Sequence, residues 1–317
     1  MSFTARFSLR LPLAMIAFIL AGSATAADIA GLVDIGERRK MYLECSGAGS
    51  PTVVLISGKG NGAADWSEIL DPADPARAEA YDAVAWGKGD LHRSPSAVFP
   101  MVARFTRVCA YDRPGTRLDG ADLSTPVAQP HAADQAADDL HRLLMAAGER
   151  TPYVLVAHSY GGVIATLFTR SWPADVAGLV MVDAATQLIR DVARPQAVAT
   201  WSEINERSVP AAPEAVRLAD AFAKIDAAAP LRELPAVVLS ADKPWQPPSA
   251  PAPSAVATGV TFTDWQESQK LLAASLKARH VEQTNSGHNI HAYAPQLVID
   301  AIQAVVDAVR SGSVRTP

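Results

Sequence analysis

Basic side chains are in short supply in this sequence: 28 Lys and Arg face 33 Asp and Glu, for a formal net charge of −5. A chain that binds nucleic-acid phosphates needs a basic face, so a nucleic-acid partner is excluded on charge. Cysteine is scarcer still, with only Cys45 and Cys109. No repeat of fixed period is present, and nothing in the composition resembles a disordered, collagen-like or multi-span membrane chain. The glycines of GKGNG, residues 58–62, satisfy neither the dinucleotide fingerprint nor the G-x-x-x-x-G-K-[ST] phosphate loop.

What is present is apolar surface. With 49% hydrophobic and 19% charged residues over 317 positions, the chain can bury one large core, and one globular domain with insertions is expected. The first residues stand apart: Arg6 and Arg10 precede an apolar run from Leu11 to Gly22, followed by Ser23-Ala24-Thr25-Ala26. A charged head, an apolar middle and small residues at the end are the layout of a secretory signal peptide, cut after Ala26, which leaves residues 27–317 as the mature domain. The run is shorter than the ~20 residues that span a bilayer, so no stable membrane anchor is expected after cleavage. No cysteine stands directly after the cut, where Ala27 lies, which argues against a lipid anchor. Losing two arginines and no acid takes the formal charge from −5 to −7. Export, to the periplasm or the medium, places Cys45 and Cys109 in an oxidising compartment; a disulfide is feasible if their strands are neighbours, and packing as free buried thiols is the equal alternative.

The pattern after the leader begins with strands and then alternates. GLVDIG and RKMYLEC read as two short strands, TVVLIS as a third and RVCAYD as a fourth. Between the last two, residues 71–100 are poorly patterned and too long for a simple connection, so they read as an insertion near the site or over the sheet edge. A helix over 131–147 ends at Gly148, YVLVA is the fifth strand, 160–172 a helix stopped before Pro173, and GLVMVD the sixth strand. Residues 186–234, rich in Ala, Pro and charge, interrupt the alternation and read as a small helical cap. AVVLSAD, the Pro-rich WQPPSAPAPS, a helix over 265–276, RHVEQTN and a helix over 295–310 complete the chain. Strands alternating with helices imply a mostly parallel sheet covered on both faces.

Ser159 sits between the apolar run YVLVAH and the small-residue run YGGVIATLF. That is the setting of a nucleophile elbow, G-x-S-x-G on a strand, turn and helix, here with Ala157 in place of the first glycine. A serine hydroxyl needs a neighbouring base, and such elbows take it from a histidine later in the chain. Of seven histidines, His92, His131 and His141 come too early, and His158 adjoins the serine where the turn is expected to aim its ring elsewhere. His280 begins the last strand at its far end, whereas His288 lies in the polar turn NSGH just after it. His288 is therefore the expected base and His291 the reserve. H-x-x-H at 288 and 291 is a poor metal pair, with no Glu between them and no further ligands clustered nearby, so neither a metal nor an organic cofactor is expected.

Taken together, LISGKG, AYDRPG, AHSYGG, GLVMVD, AVVLSAD and SGHNIH resemble the α/β-hydrolase family of serine esterases and lipases over nearly all of the chain after the leader. The resemblance implies an α/β-hydrolase fold with a mostly parallel eight-stranded sheet and a small cap over about 186–234. In that family a His-Gly pair commonly follows the third strand; here Ser57-Gly58 stands in its place, so the resemblance assigns the oxyanion-hole N–H groups to Lys59 and Tyr160. AYDRPGTRLDG departs from the familiar G-x-G-x-S, a change expected to bear on loop shape. Two carboxylates qualify as the acid: Asp183 closes the sixth strand and Asp242 the seventh, the position most relatives use. Asp183 is preferred because its strand adjoins the nucleophile strand, with Asp242 as the alternative; whichever is not the acid caps a strand-end turn.

The expected activity is a serine hydrolase cleaving a small-molecule carboxylic ester or lactone through an acyl-enzyme. Acyl transfer, amide cleavage and perhydrolysis would use the same residues. A different class is a non-catalytic carrier that binds an apolar ligand under the cap, since a fold does not fix a function. Trp201 and Phe222 in the cap, and Trp86 and His92 in the insertion, are expected to shape the pocket or to pack the elements that carry them.

Overall fold

The structure is a computed structural model, and it describes residues 1, 27–83, 90–116, 123–209, 213–245 and 259–314. The expected signal peptide, Trp86, and most of the Pro-rich loop after Trp245 lie outside the described residues.

In chain order the elements are β1 (Ile29–Gly36), β2 (Arg39–Ser46), β3 (Thr52–Ile56), β4 (Glu68–Leu70), β5 (Leu91–Arg93), α1 (Val98–Val102), β6 (Val108–Tyr111) and α2 (Ala133–Ala146). They continue with β7 (Tyr153–His158), α3 (Gly161–Ser171), β8 (Val176–Val182), α4 (Pro195–Asn205), α5 (Leu218–Ala227), β9 (Ala236–Leu239), α6 (Phe262–Leu276), β10 (Arg279–Val281), α7 (Ile290–Tyr293) and α8 (Pro295–Arg310). Eight strands form one sheet in the order β1-β2-β6-β3-β7-β8-β9-β10. The pairings from β6 to β10 are parallel, and the first two strands run antiparallel at the edge.

Burial follows from this arrangement. Every residue of β3, β6, β7 and β9 is buried, because helices cover both faces of the parallel strands, and the sequences TVVLI, VCAY, YVLVAH and AVVL are correspondingly almost unbroken apolar runs. Successive side chains go to opposite faces. Val54, Ile56, Leu155 and Ala157 pack with α2 and α3 through Leu140, Leu143, Ile164 and Phe168. Val53, Leu55, Val154 and Val156 pack on the other face with α1 and α8 through Val98, Val298, Ile302 and Val305. The edge strand β1 alternates half-buried with exposed positions.

Cys45 and Cys109 face each other in register across β2 and β6 and are disulfide-bonded, which resolves the choice the sequence left open. The insertion between β3 and β6 is more ordered than its patterning suggests: β4 and β5 pair as a separate two-stranded sheet. Among the described residues of 186–234, α4 and α5 are the two α-helices, and α5 rests on α3.

Strand order reverses at β3, which has β6 on one side and β7 on the other. Loops that leave the carboxyl ends of strands at such a reversal border the crevice where open α/β sheets bind ligands. The loop after β3 and the turn after β7 both do so here.

Candidate active site

β7 ends at His158, and Ser159 follows with φ 51°, in the left-handed region. That conformation costs a non-glycine residue roughly 1–2 kcal/mol and persists because its surroundings fix it. The Ser159 N–H donates to Val182 O at 3.3 Å, and its carbonyl accepts from Gly162 N at 2.9 Å and Ala185 N at 2.8 Å. The turn packs too closely for a side chain at the next position but one: a Cβ on Gly161 would lie 2.3 Å from Ile56 O. Ala157 is fully buried in β7, whereas Ser159 is partly exposed.

The structure brings His288 to Asp183. Nδ1 of His288 lies 2.6 Å from Oδ2 of Asp183, which is fully buried directly after β8. The other oxygen, Oδ1, accepts the Ala241 N–H at 3.0 Å, so both carboxylate oxygens are engaged. A carboxylate on Nδ1 keeps the proton there and leaves Nε2 as the basic nitrogen. Asp242 has the other role named for it. Its Oδ1 accepts from Ser286 N at 2.8 Å and its Oδ2 from Asn285 N at 3.0 Å, bracing the turn that leads to His288.

The remaining late histidines are placed elsewhere. His280 hydrogen-bonds Ser240 Oγ at 2.6 Å. His291 is buried between Trp66 and His158, with ring centroids 4.8 and 4.6 Å away. Burial, and then the neighbouring His288, lower its pKa to about 3. His158 corrects the expectation that its ring points away from the site. As the last residue of β7 it continues the face of Val154 and Val156, where its ring centroid is 4.7 Å from that of His288. Burial, then His291 and His288, depress its pKa well below 6.5. A neutral ring donates Nε2–H to the carbonyl of His288 at 3.1 Å.

Asp82 is a site residue that no local pattern marks. Its Oδ2 accepts the backbone N–H of His288 at 2.7 Å, and its Oδ1 accepts the Tyr293 hydroxyl at 3.0 Å. His288 is thus held at its N–H by Asp82, at its carbonyl by His158 and at its ring by Asp183. Trp265 stands edge-on to the same ring at 5.7 Å and also meets Trp201, which meets Phe222. Phe222 is fully buried, so it packs the cap, and His92 is exposed on β5.

The loop after β3 closes the other side. A Cβ on Gly58 would lie 3.0 Å from Ser159 Cβ and 2.9 Å from His158 Nδ1, which explains the glycine there. Among the described residues the N–H groups of Lys59 and Tyr160 have no protein acceptor. The Lys59 ammonium reaches Asn205 O and Oδ1 at 3.3 and 3.2 Å, and burial lowers its pKa. Arg113, from the departed AYDRPG motif, donates to the carbonyls of Ser57 and Gly58.

A strand-to-helix turn carrying Ser159 at the reversal point, and an Asp–His pair at the end of the adjoining strand β8, on a mostly parallel eight-stranded sheet, define the class as a hydrolase of the α/β type. Residues 53–301 match the model of the alpha/beta hydrolase family, and the chain belongs to that family. The uncharacterized protein C23C11.06c of Schizosaccharomyces pombe (strain 972) is 30% identical over 158 residues, 49% of this chain and 28% of that protein. The uncharacterized protein YqjL of Bacillus subtilis (strain 168) is 36% identical over 78 residues, 25% of this chain and 29% of that one. The chain therefore matches less than a third of the length of either relative. Among solved structures, a thermophilic esterase from Thermogutta terrifontis superposes with a TM-score of 0.54 at 17% identity, covering 90% of this chain and 99% of that one. Est816, an N-acyl homoserine lactone degrading enzyme, gives 0.52 at 16%, covering 86% and 98%. At these identities the likeness is one of fold.

Proposed function

We propose that the chain is a serine hydrolase that cleaves a carboxylic ester or lactone through an acyl-enzyme. The observation that carries the reading is the 2.6 Å contact between His288 and Asp183, at the end of the strand whose Val182 carbonyl accepts the N–H of Ser159 in its left-handed turn. In the first half-reaction Ser159 Oγ attacks the carbonyl carbon while His288 Nε2 takes its proton. Negative charge develops on the carbonyl oxygen, and the N–H groups of Lys59 and Tyr160 receive it. The leaving alkoxide departs with the proton from His288, leaving the acyl group on Ser159. In the second half-reaction His288 takes a proton from water, hydroxide attacks the acyl carbon, and Ser159 recovers its proton as the acid leaves. Asp183 holds the ring through Nδ1–H and stabilises the imidazolium in both steps.

An esterase and a lactone-degrading enzyme among the structural neighbours support an ester or lactone as the substrate class. The small cap over 186–234, with Trp201 facing Trp265, borders the substrate side. Export with cleavage after Ala26 goes with this reading, and the Cys45–Cys109 disulfide is the kind of bond an oxidising compartment preserves. N-terminal sequencing of the exported protein would test the cut.

Fluorophosphonate labelling tests the chemistry. The wild-type protein is expected to be labelled at Ser159 and to hydrolyse p-nitrophenyl esters, and Ser159→Ala to do neither. An unlabelled, inert wild-type protein that nonetheless binds apolar esters would make it a carrier.

A further inference from the structure

One carboxylate of the cap grips the loop after β3 and belongs to no step of the proposed reaction. Glu214 and Arg113 are both buried, and they form a two-point ion pair: Nε to Oε1 at 2.7 Å and Nη2 to Oε2 at 3.1 Å. Burial alone would disfavour the guanidinium charge, and Glu214 overrides it, so Arg113 is held firmly protonated. Its remaining hydrogen bonds go to two consecutive carbonyls, Nη1 to Ser57 O at 2.9 Å and Nη2 to Gly58 O at 2.6 Å. Glu214 Oε2 also accepts the N–H of Gly60 at 2.6 Å.

These contacts fix the orientation of one peptide unit. Gly58 O receives Arg113 Nη2 and, within the loop, the N–H of Asn61 at 3.2 Å. The peptide bond is planar and trans, so the N–H of Lys59 must point opposite to the carbonyl of Gly58. With that carbonyl turned to Arg113, the Lys59 N–H is turned away from Arg113 and keeps no protein acceptor among the described residues. Gly58 itself lies against Ser159. The neighbouring N–H, that of Gly60, is withdrawn to Glu214. A flip of the Gly58–Lys59 peptide would give up two hydrogen bonds to its carbonyl, one of them from a charged donor.

We propose that Glu214 is a positioning residue for the oxyanion hole: through Arg113 and Gly60 it locks the Gly58–Lys59 peptide with the Lys59 N–H toward Ser159, and so ties the cap to the hole. The Lys59 side chain adds a second tie, to Asn205 at the end of α4. The inference rests on the serine-hydrolase reading. It goes beyond that reading by making the hole depend on a residue 154 positions from the Gly60 it contacts.

The test compares Glu214→Ala and Glu214→Gln with wild type, in kcat and KM for a p-nitrophenyl ester and in the inhibition constant of an alkyl boronic acid. The boronic acid adds to Ser159 and places a tetrahedral oxygen where the oxyanion forms. Losing an oxyanion donor costs about 10²–10³ in kcat. Glu214→Ala is expected to lose on the order of 10²-fold in kcat and a comparable factor in boronic-acid affinity, with KM little changed. Glu214→Gln keeps an acceptor for Gly60 but removes the charge opposite Arg113, and is expected to lose about tenfold in both, from a charged to a neutral partner. It keeps the test open should the alanine variant not fold. A folded Glu214→Gln or Glu214→Ala protein with wild-type kcat and boronic-acid affinity would overturn the inference and leave the hydrolase standing. A variant that changed KM alone would also overturn it. A wild-type protein unlabelled by fluorophosphonate would remove both.

Discussion

Asp183 directly follows β8 and Asp242 lies three residues past the end of the adjacent parallel strand β9, yet only the first meets the imidazole: Asp183 Oδ2 lies 2.6 Å from His288 Nδ1, while Asp242 binds the backbone of 285 and 286. The difference separates orientation of the ring from support of the turn that carries it. Asp183→Asn places an amide on Nδ1 and favours the wrong tautomer, so kcat is expected to fall by roughly 10⁴, as when the acid of a serine triad is made an amide. Asp242→Asn weakens charge-assisted hydrogen bonds to two backbone N–H groups, at a cost of about 1–3 kcal/mol in stability. Its kcat should fall far less. Steady-state kinetics and urea unfolding of the two variants would distinguish these outcomes.

The disulfide closes a 64-residue separation between β2 and β6. Chain-entropy arguments give such a closure a contribution of about 4 kcal/mol, and typical measured values are 2–4. Cys45→Ala with Cys109→Ala should therefore lower the urea midpoint by the equivalent of about 2–4 kcal/mol. Activity below the new transition should persist, because the bond lies on the strand pair farther from Asp183 and His288. Peptide mapping without reductant should recover residues 45 and 109 as one cross-linked species.

Local pattern and long-range placement divide what could be read in advance. The position of Ser159 at a strand-to-helix turn, and of His288 in a turn after the last strand, depends on residues within about ten positions, where apolar runs and glycines report the backbone. The succession of core strands and helices along the chain follows from the same local pattern, whereas their order in the sheet does not. Boundaries were less so: the run RHVEQTN pairs with β9 only over Arg279–Val281, because Asp242 then draws residues 284–286 into a turn. Which acid meets the ring depends on sheet register, which no local window contains. Asp82, Arg113 and Glu214 act across 206, 55 and 154 positions, and nothing in their own neighbourhoods marks them. The ring of His158 was misjudged from the turn that follows it, whereas the strand that precedes it sets its direction.

His158 and His291 make stability sensitive to acid. Both are buried beside His288 with pKa values pushed below 6.5, His291 to about 3. In the unfolded chain both would bind protons as the pH falls through about 6.5, while the folded protein keeps them neutral. Their stabilising contribution is therefore full above about pH 6.5 and is lost progressively on acidification, down to the folded-state pKa values. The slope is at most about 1.4 kcal/mol per pH unit for each histidine. Urea midpoints measured from pH 7.5 to 4.5 should fall, and His291→Phe, which removes one titrating group and keeps a ring against Trp66, should flatten the curve. An unchanged slope in that variant would mean that His291 is protonated in the folded protein.

Asp82 tests whether the backbone of His288 must be anchored as firmly as its ring. The carboxylate accepts the His288 N–H at 2.7 Å and the Tyr293 hydroxyl at 3.0 Å, and both it and Tyr293 are buried. Asp82→Ala strands both donors, at about 1–3 kcal/mol for each buried group left unsatisfied. A 1 Å misplacement of a catalytic group can cost 10²-fold, so kcat is expected to fall by about 10–10² with a smaller change in KM. Asp82→Asn retains an amide oxygen for one of the two donors and should recover part of the rate. A purely structural Asp82 would give a different signature, with a lowered unfolding midpoint and, at temperatures where the variant is fully folded, a wild-type kcat. Kinetics at two temperatures below the transition separate the cases, since a displaced His288 slows the reaction at both.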